Sequence, residues 1–173
     1  MPRWPWVERA FNFDFPVMKF FDLLERVRGT PARLEERVRG LPADVLTQGE
    51  ATGWSIQENI GHLIDLGYLP LQRLEILAGK AVLCSADMTN RRTNEAQHNA
   101  AEIGALLGAF RTERVSRFEE LDESDWGKSA LHPRLEQPMR IVDIAYFDAE
   151  HDDCHLARIG ELIRRFASPP RGR

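Results

Sequence analysis

Four long stretches of this sequence carry apolar residues at the spacing of an amphipathic helix, and no other feature constrains the fold as strongly. The stretches run over residues 16–41, 55–77, 93–121 and 138–166. Very little of the chain alternates apolar and polar residues as a strand does. Four amphipathic helices of about 20 residues each predict an all-α fold, and a four-helix bundle buries four such stripes.

Chain length indicates one domain. The 173 residues are enough to bury one sizeable core. We predict an N-terminal extension at residues 1–15, a four-helix bundle domain at residues 16–167 and a disordered polar tail at residues 168–173.

Local signals mark the ends of the helices. Ser55 and Glu58 have the spacing of a capping box, and Gly79 follows the second stretch as a helix terminator does. In the first stretch, Thr30 and Pro31 can either start a new helix or kink a single long one, and we favour the kink. The linker after Gly79 is long enough to cross a bundle. The helical periodicity therefore does not decide the up-and-down order of the four helices.

Charge, hydropathy and cysteine content exclude several classes of partner. The net charge is −4 and basic residues are interleaved with acidic ones, which disfavours a nucleic-acid surface. No segment approaches the roughly 18 apolar residues of a membrane span, and the N-terminal stretch lacks the apolar run of a signal peptide. The two cysteines do not make a disulfide framework, so a cytoplasmic location is expected.

Three histidines lie on faces that should be buried. His151 and His155 are four residues apart on the apolar stripe of the last helix, and His62 flanks the stripe of the second. Buried polar groups need partners, so the three imidazoles either form hydrogen bonds inside the core or bind a metal. Asp148 lies on the same arc and could orient an imidazole, act as a weak ligand or serve as a general base.

Other chemically active residues are not expected to join this group. The periodicity turns His98 towards solvent, and His132 precedes a proline in a loop. Cys154 points about 100° away from His155 on the helix and is predicted to be a small buried residue. Arg91 and Arg92 could clamp an anionic substrate, although a solvated loop is the simpler interpretation.

The stretches GWSIQENIGHLIDL and AEHDDCHLARI resemble the DinB/YfiT-like superfamily of metal-binding four-helix bundles. The family patterns W-S-x-x-E-x-x-x-H-L and H-D-x-x-H-L correspond here to Trp54, Ser55, Glu58, His62 and Leu63, then to His151, Asp152, His155 and Leu156. GTPARLEERVRGLP is similar to the family's first helix, and the likeness covers residues 15–166. Many members carry a histidine where this chain has Cys154, which is not one of the three ligand positions.

The resemblance implies an up-down-down-up bundle, often a homodimer, with a divalent metal on His62, His151 and His155. It also implies a metal-dependent enzyme acting on a small molecule, either by thiol-dependent S-transfer with a low-molecular-weight thiol or by hydrolysis. We place thiol transfer first. Zinc is the expected metal and nickel the next, followed by iron, cobalt or manganese. A non-catalytic metal- or ligand-binding stress-response module and a metal-free interaction domain remain as alternatives.

Overall fold

The computed structural model describes residues 5–51, 53–87 and 100–167. The helices are α1 (Phe20–Arg28), α2 (Thr30–Val38), α3 (Ala43–Thr47), α4 (Ile56–Asp65), α5 (Leu69–Arg73), α6 (Ala100–Glu119), α7 (Glu123–Trp126) and α8 (Ile141–Phe166). Three short 3-10 helices cover Trp6–Glu8, Val17–Lys19 and Leu74–Ala78. The strands are β1 (Ser129–His132) and β2 (Gln137–Arg140).

Helix α8 packs against most of the other helices of the bundle. It packs against α1, α2, α4 and α5, while α6 packs against α1, α2 and α4. The predicted last helix is confirmed, beginning at Ile141 and ending at Phe166. Asp143 caps its first turn, because its carboxylate accepts the Arg140 backbone N–H at 2.7 Å.

Two hydrophobic clusters divide the core along α8. The Phe147 cluster contains Phe20, Leu23, Leu24, Leu74, Ile76, Leu83, Phe118, Trp126, Ala130, Met139, Ile141, Val142, Ile144, Ala145 and Phe147. The Leu156 cluster contains Leu34, Val45, Leu46, Ile56, Ile60, Leu63, Ile64, Leu156, Ile159 and Leu162. The stretch of α8 between the two clusters therefore supplies side chains to neither, and it carries both late histidines.

The first predicted helix is two helices in the structure. Helices α1 and α2 meet at Gly29, which keeps right-handed backbone angles of φ −75° and ψ −10°. Pro31 has no N–H to continue the hydrogen-bond ladder of α1, so the ladder stops there and restarts in α2. The kinked single helix that we favoured was wrong, and the alternative of a new helix at Thr30–Pro31 is what forms.

The second helix begins as predicted but does not continue to residue 77. The Ser55 hydroxyl accepts the Glu58 N–H at 3.1 Å, and the Glu58 carboxylate accepts the Ser55 N–H at 2.7 Å, so the capping box is confirmed. Helix α4 ends at Asp65 in a tighter turn, where the N–H groups of Gly67 and Leu69 bond the carbonyls of Ile64 and Leu66, three residues back. A 3-10 turn then ends at Gly79 with φ +83°, as predicted.

The connection before α8 holds a β-hairpin that the pattern did not predict. Strands β1 and β2 are antiparallel, with Ala130 opposite Met139, and both side chains are buried. Leu131 exchanges backbone hydrogen bonds with Ala81 and Leu83, which ties the hairpin to the chain after α5. The fold is thus a four-helix bundle with one small hairpin added at an end of α8.

The N-terminal segment lies on the bundle. The Arg140 guanidinium donates to the carbonyls of Phe13 and Phe15, and the ring of Trp6 packs on Phe147 at 4.9 Å between centroids. Whether residues 1–15 form a separate extension stays a prediction. Within the residues the structure describes, no helix is both long and apolar enough to cross a membrane.

Several predictions fall outside the described residues. They concern the start of the third helix, whose described part is α6, and the roles of His98, Arg91 and Arg92. The predicted disordered tail at 168–173 lies outside them as well.

Candidate metal centre

The structure brings the three predicted histidines together. His62 comes from α4, and His151 and His155 come from successive turns of α8. One ring nitrogen from each lies within 4.8 Å of the other two, and Nε2 of His62 is 3.3 Å from Nε2 of His151. All three side chains are buried, with 8–9% of their surface exposed. Their role as metal ligands stays a prediction, and their convergence is the geometry that role requires.

The bundle dictates this convergence. Helices α4 and α8 pack against each other through Ile60, Leu63, Leu156 and Ile159 in the Leu156 cluster. Because side chains four residues apart lie on one helix face, His151 and His155 stack one turn apart towards α4. The apolar contacts thus hold the helices at the separation at which the imidazoles meet.

An asparagine fixes the orientation of one ring. The Asn59 side-chain oxygen lies 2.9 Å from Nδ1 of His155, and its nitrogen donates to the Ser55 carbonyl at 2.7 Å. Since the amide nitrogen is the donor there, the oxygen must accept, so Nδ1 of His155 carries the proton and Nε2 keeps its lone pair. Sequence reasoning missed Asn59, although its position one turn before His62 on a buried helix face was a usable signal.

Burial keeps His62 neutral. Desolvation lowers the pKa of His62 to about 4, because the charged imidazolium loses its hydration. The ring is therefore unprotonated near neutral pH, which is the form that binds a metal ion. Three imidazole nitrogens that converge from two helices suit a divalent transition metal.

Two tryptophan rings pack against the imidazoles of the centre. The Trp54 ring lies 4.7 Å from the His62 ring and is stacked on His155 at 6.0 Å. Trp6, from the N-terminal segment, meets His151 edge-on at 5.0 Å. The aromatic rings limit contact between the imidazoles and water.

Asp148 and Cys154 occupy different surroundings from each other. Asp148 is buried and forms an ion pair with the buried Arg114, which also donates to the Gly67 carbonyl at 2.8 Å. Its role as a base or as an orienting group for a histidine stays a prediction, and the ion pair is the contact that the sequence did not indicate. Cys154 is buried with 5% of its surface exposed, as expected for a packing residue.

A cavity of about 130 Å³ opens beside the centre. His62, His151 and Asp148 line it, and its apolar lining consists of Trp6, Leu66, Leu69, Pro70, Ala86, Pro133, Ile144 and Phe147. Its other polar lining residues are Arg73, Ser85, Asp87, His132 and Arg134. We expected His132 in a loop apart from the site. It ends β1 instead, buried, on the cavity wall but outside the three-histidine group.

Comparison with known proteins decides the family. The sequence model of the DinB superfamily matches residues 26–159, a span that includes all three histidines. This chain belongs to the DinB superfamily. The resemblance read from its two histidine motifs is thereby confirmed.

Among solved structures, the DinB-superfamily chain is similar to YfiT from Bacillus subtilis, described as a probable metal-dependent hydrolase with an unusual four-helix bundle topology. The TM-score is 0.78 at 16% sequence identity, over 94% of this chain and 95% of that one. At this identity the likeness establishes the fold, and it confirms the predicted bundle. A comparison with curated proteins gives no match.

Proposed function

We propose that this DinB-superfamily protein is an enzyme that uses a divalent metal on His62, His151 and His155 to hydrolyse a small molecule. The observation that carries the proposal is the convergence of three buried imidazoles, with ring nitrogens within 4.8 Å, two of which, His62 and His151, line a cavity. The description of the similar YfiT as a probable metal-dependent hydrolase supports the choice of reaction.

The donor set fits a catalytic ion better than a structural one. Structural zinc is usually closed by four protein ligands, whereas three histidines leave coordination positions for water or substrate. When bound, such an ion lowers the pKa of water towards neutrality and polarises a carbonyl or phosphoryl oxygen. Zinc is our first candidate and nickel the second, since both accept imidazole.

The chain's own residues then have separate tasks. Asn59 holds the His155 ring so that Nε2 faces the centre, and Trp54 shields the imidazoles. The apolar wall formed by Leu66 and Ile144 contacts the body of the substrate. Asp148 lines the same cavity, and we propose it as the general base or as an orienting group, with its carboxylate held by Arg114.

Thiol transfer uses the same centre with a different co-reactant. A low-molecular-weight thiol would take the place of water, as a thiolate, which is the nucleophilic form. We now place hydrolysis first because of the YfiT comparison, and the two reactions are separated by assaying an ester and electrophile panel with and without added thiol. Turnover that requires a thiol would assign the protein to transfer. The homodimer remains a proposal that light scattering tests.

Metal content tests the centre itself. We would measure transition metals in the untagged protein, in His155→Ala and in the control His98→Ala, which alters a histidine outside the three. We expect about one equivalent of metal in the wild type and the control, and a loss in His155→Ala. A wild type that stays metal-free after incubation with Zn²⁺ or Ni²⁺ would overturn the proposal, leaving a metal-free interaction domain with hydrogen-bonded core histidines.

A further inference from the structure

We propose that Arg73, His132 and Arg134 form a receptor for a carboxylate, and that the substrate is a small molecule with one carboxylate on an apolar body. The role of this molecule as a substrate rests on the proposed function. Its binding rests only on the cavity described here.

Arg73 is a buried cation that forms no ion pair with a carboxylate among the described residues. Only 3% of its surface is exposed, and its Nε has no hydrogen-bond partner within that part of the chain. Asp148, the carboxylate on this side of the cavity, is already paired with Arg114. The adjacent Cys84 thiol is no counter-ion, because burial raises its pKa and keeps it neutral. A buried guanidinium in these surroundings is costly unless something supplies a negative charge.

His132 places a second hydrogen-bond donor beside Arg73, and this donor faces another donor instead of an acceptor. Its Nδ1 accepts the backbone N–H groups of Arg134 and Leu135, each at 3.2 Å. A neutral imidazole that accepts at Nδ1 carries its proton at Nε2. Nε2 lies 3.0 Å from Nη2 of Arg73, which can only donate. Two donors therefore face each other, and an oxygen that accepts from both removes the conflict.

Arg134 completes the receptor at the cavity mouth. Its guanidinium carbon lies 5.8 Å from the centre of the Phe147 ring, and that of Arg73 lies 5.6 Å from the same ring. Arg134 is exposed and donates to the Val7 carbonyl at 3.3 Å, so it holds a charge at the entrance. Asp87 also lines the cavity, and it is exposed, whereas Arg73 and His132 are buried.

The shape of the cavity favours a carboxylate over inorganic phosphate. Arginine binds a carboxylate through charge-assisted N–H groups, and Arg73 lines the cavity beside His132. Part of the remaining lining is apolar, including Leu69, Ile144 and Phe147. A volume of about 130 Å³ suits an aromatic or short aliphatic acid.

Calorimetric titration tests the receptor with benzoate, its neutral analogue benzamide and inorganic phosphate. The wild type is titrated as isolated and again after treatment with a chelator. The single variants Arg73→Met, Arg134→Met and His155→Ala are titrated beside it. Arg164→Met is the matched control, because Arg164 is exposed near the end of α8. We expect benzoate to bind the wild type in both states and benzamide to bind at least tenfold more weakly.

Arg73→Met should weaken benzoate binding at least tenfold, Arg134→Met should weaken it less, and Arg164→Met should leave it unchanged. Without ligand, Arg73→Met should melt no lower than the wild type, because it removes a buried charge that lacks a partner. A large loss of stability instead would show a structural arginine and overturn the proposal. So would binding of phosphate but not benzoate, or equal binding of benzoate and benzamide. Benzoate binding that survives in His155→Ala would uphold the receptor even if the metal proposal fails.

Discussion

Replacing Asn59 should weaken metal binding without altering a ligand. In Asn59→Leu the Nδ1–H of His155 loses the acceptor that lies at 2.9 Å, in a place where both side chains are buried. Without metal, His155 can change tautomer or rotate to avoid the loss. When Nε2 binds a metal ion, the ring can neither change tautomer nor rotate. The cost of the unpaired buried donor, about 1–3 kcal/mol, then lowers the affinity for the metal. We expect a loss of roughly tenfold to a hundredfold.

The matched control is Asn59→Asp, which keeps the accepting oxygen. Both variants lose the amide N–H that donates to the Ser55 carbonyl at 2.7 Å, so the difference between them reports the acceptor at His155 together with the charge of the carboxylate. That carbonyl also accepts the backbone N–H of residue 59, which both variants retain. Competition with a chromophoric chelator gives the affinities for Zn²⁺ and Ni²⁺. If Asn59→Leu binds as tightly as Asn59→Asp, this hydrogen bond does not orient the ligand.

Two further predictions concern charge inside the bundle. Asp148→Ala should lower the free energy of unfolding by about 3–5 kcal/mol, because it removes the carboxylate that is paired with buried Arg114. Asp148→Asn should lower it by less. Denaturant titration measures both variants, and an unchanged midpoint for Asp148→Ala would contradict a stabilising ion pair. Burial and the nearby arginines lower the pKa of His132 to about 4. Between pH 6.5 and 4 the unfolded chain takes up a proton at this site that the folded chain refuses, so stability is full above pH 6.5 and falls by up to about 3 kcal/mol towards pH 4. Metal-free His132→Gln should lose less stability over that interval than metal-free wild type in denaturant titrations at each pH, and parallel curves would refute this.

Helical periodicity and short motifs predicted the parts of this protein that depend on local sequence. The capping box at Ser55, the terminator at Gly79 and the extent of α8 follow from contacts within a few residues. The spacing of His151 and His155 is also local, since one helix turn places both on one face. His62 was placed with them because two apolar stripes must meet in a bundle.

The parts that sequence reasoning missed depend on neighbours distant in the chain. Leu131 bonds to the chain near Leu83, so the hairpin is held by contacts that no pattern in residues 129–140 shows. Arg73 lies at the end of α5 and reads as an ordinary surface cation until the fold buries it beside His132. Arg91 and Arg92, which we considered as a possible anion clamp but more simply as a solvated loop, lie outside the described residues.

The two tryptophans against the imidazoles give the protein an internal optical signal. Trp6 and Trp54 each lie about 5 Å from a ring of the centre, whereas Trp126 is stacked on Phe20 in the Phe147 cluster. An ion with a partly filled d shell, such as Ni²⁺, would quench the emission of the first two indoles at that range. Zn²⁺ has a filled shell and lacks this route to quenching. Steady-state fluorescence of the unlabelled chain could thus follow loading of the centre and distinguish nickel from zinc in the same cuvette.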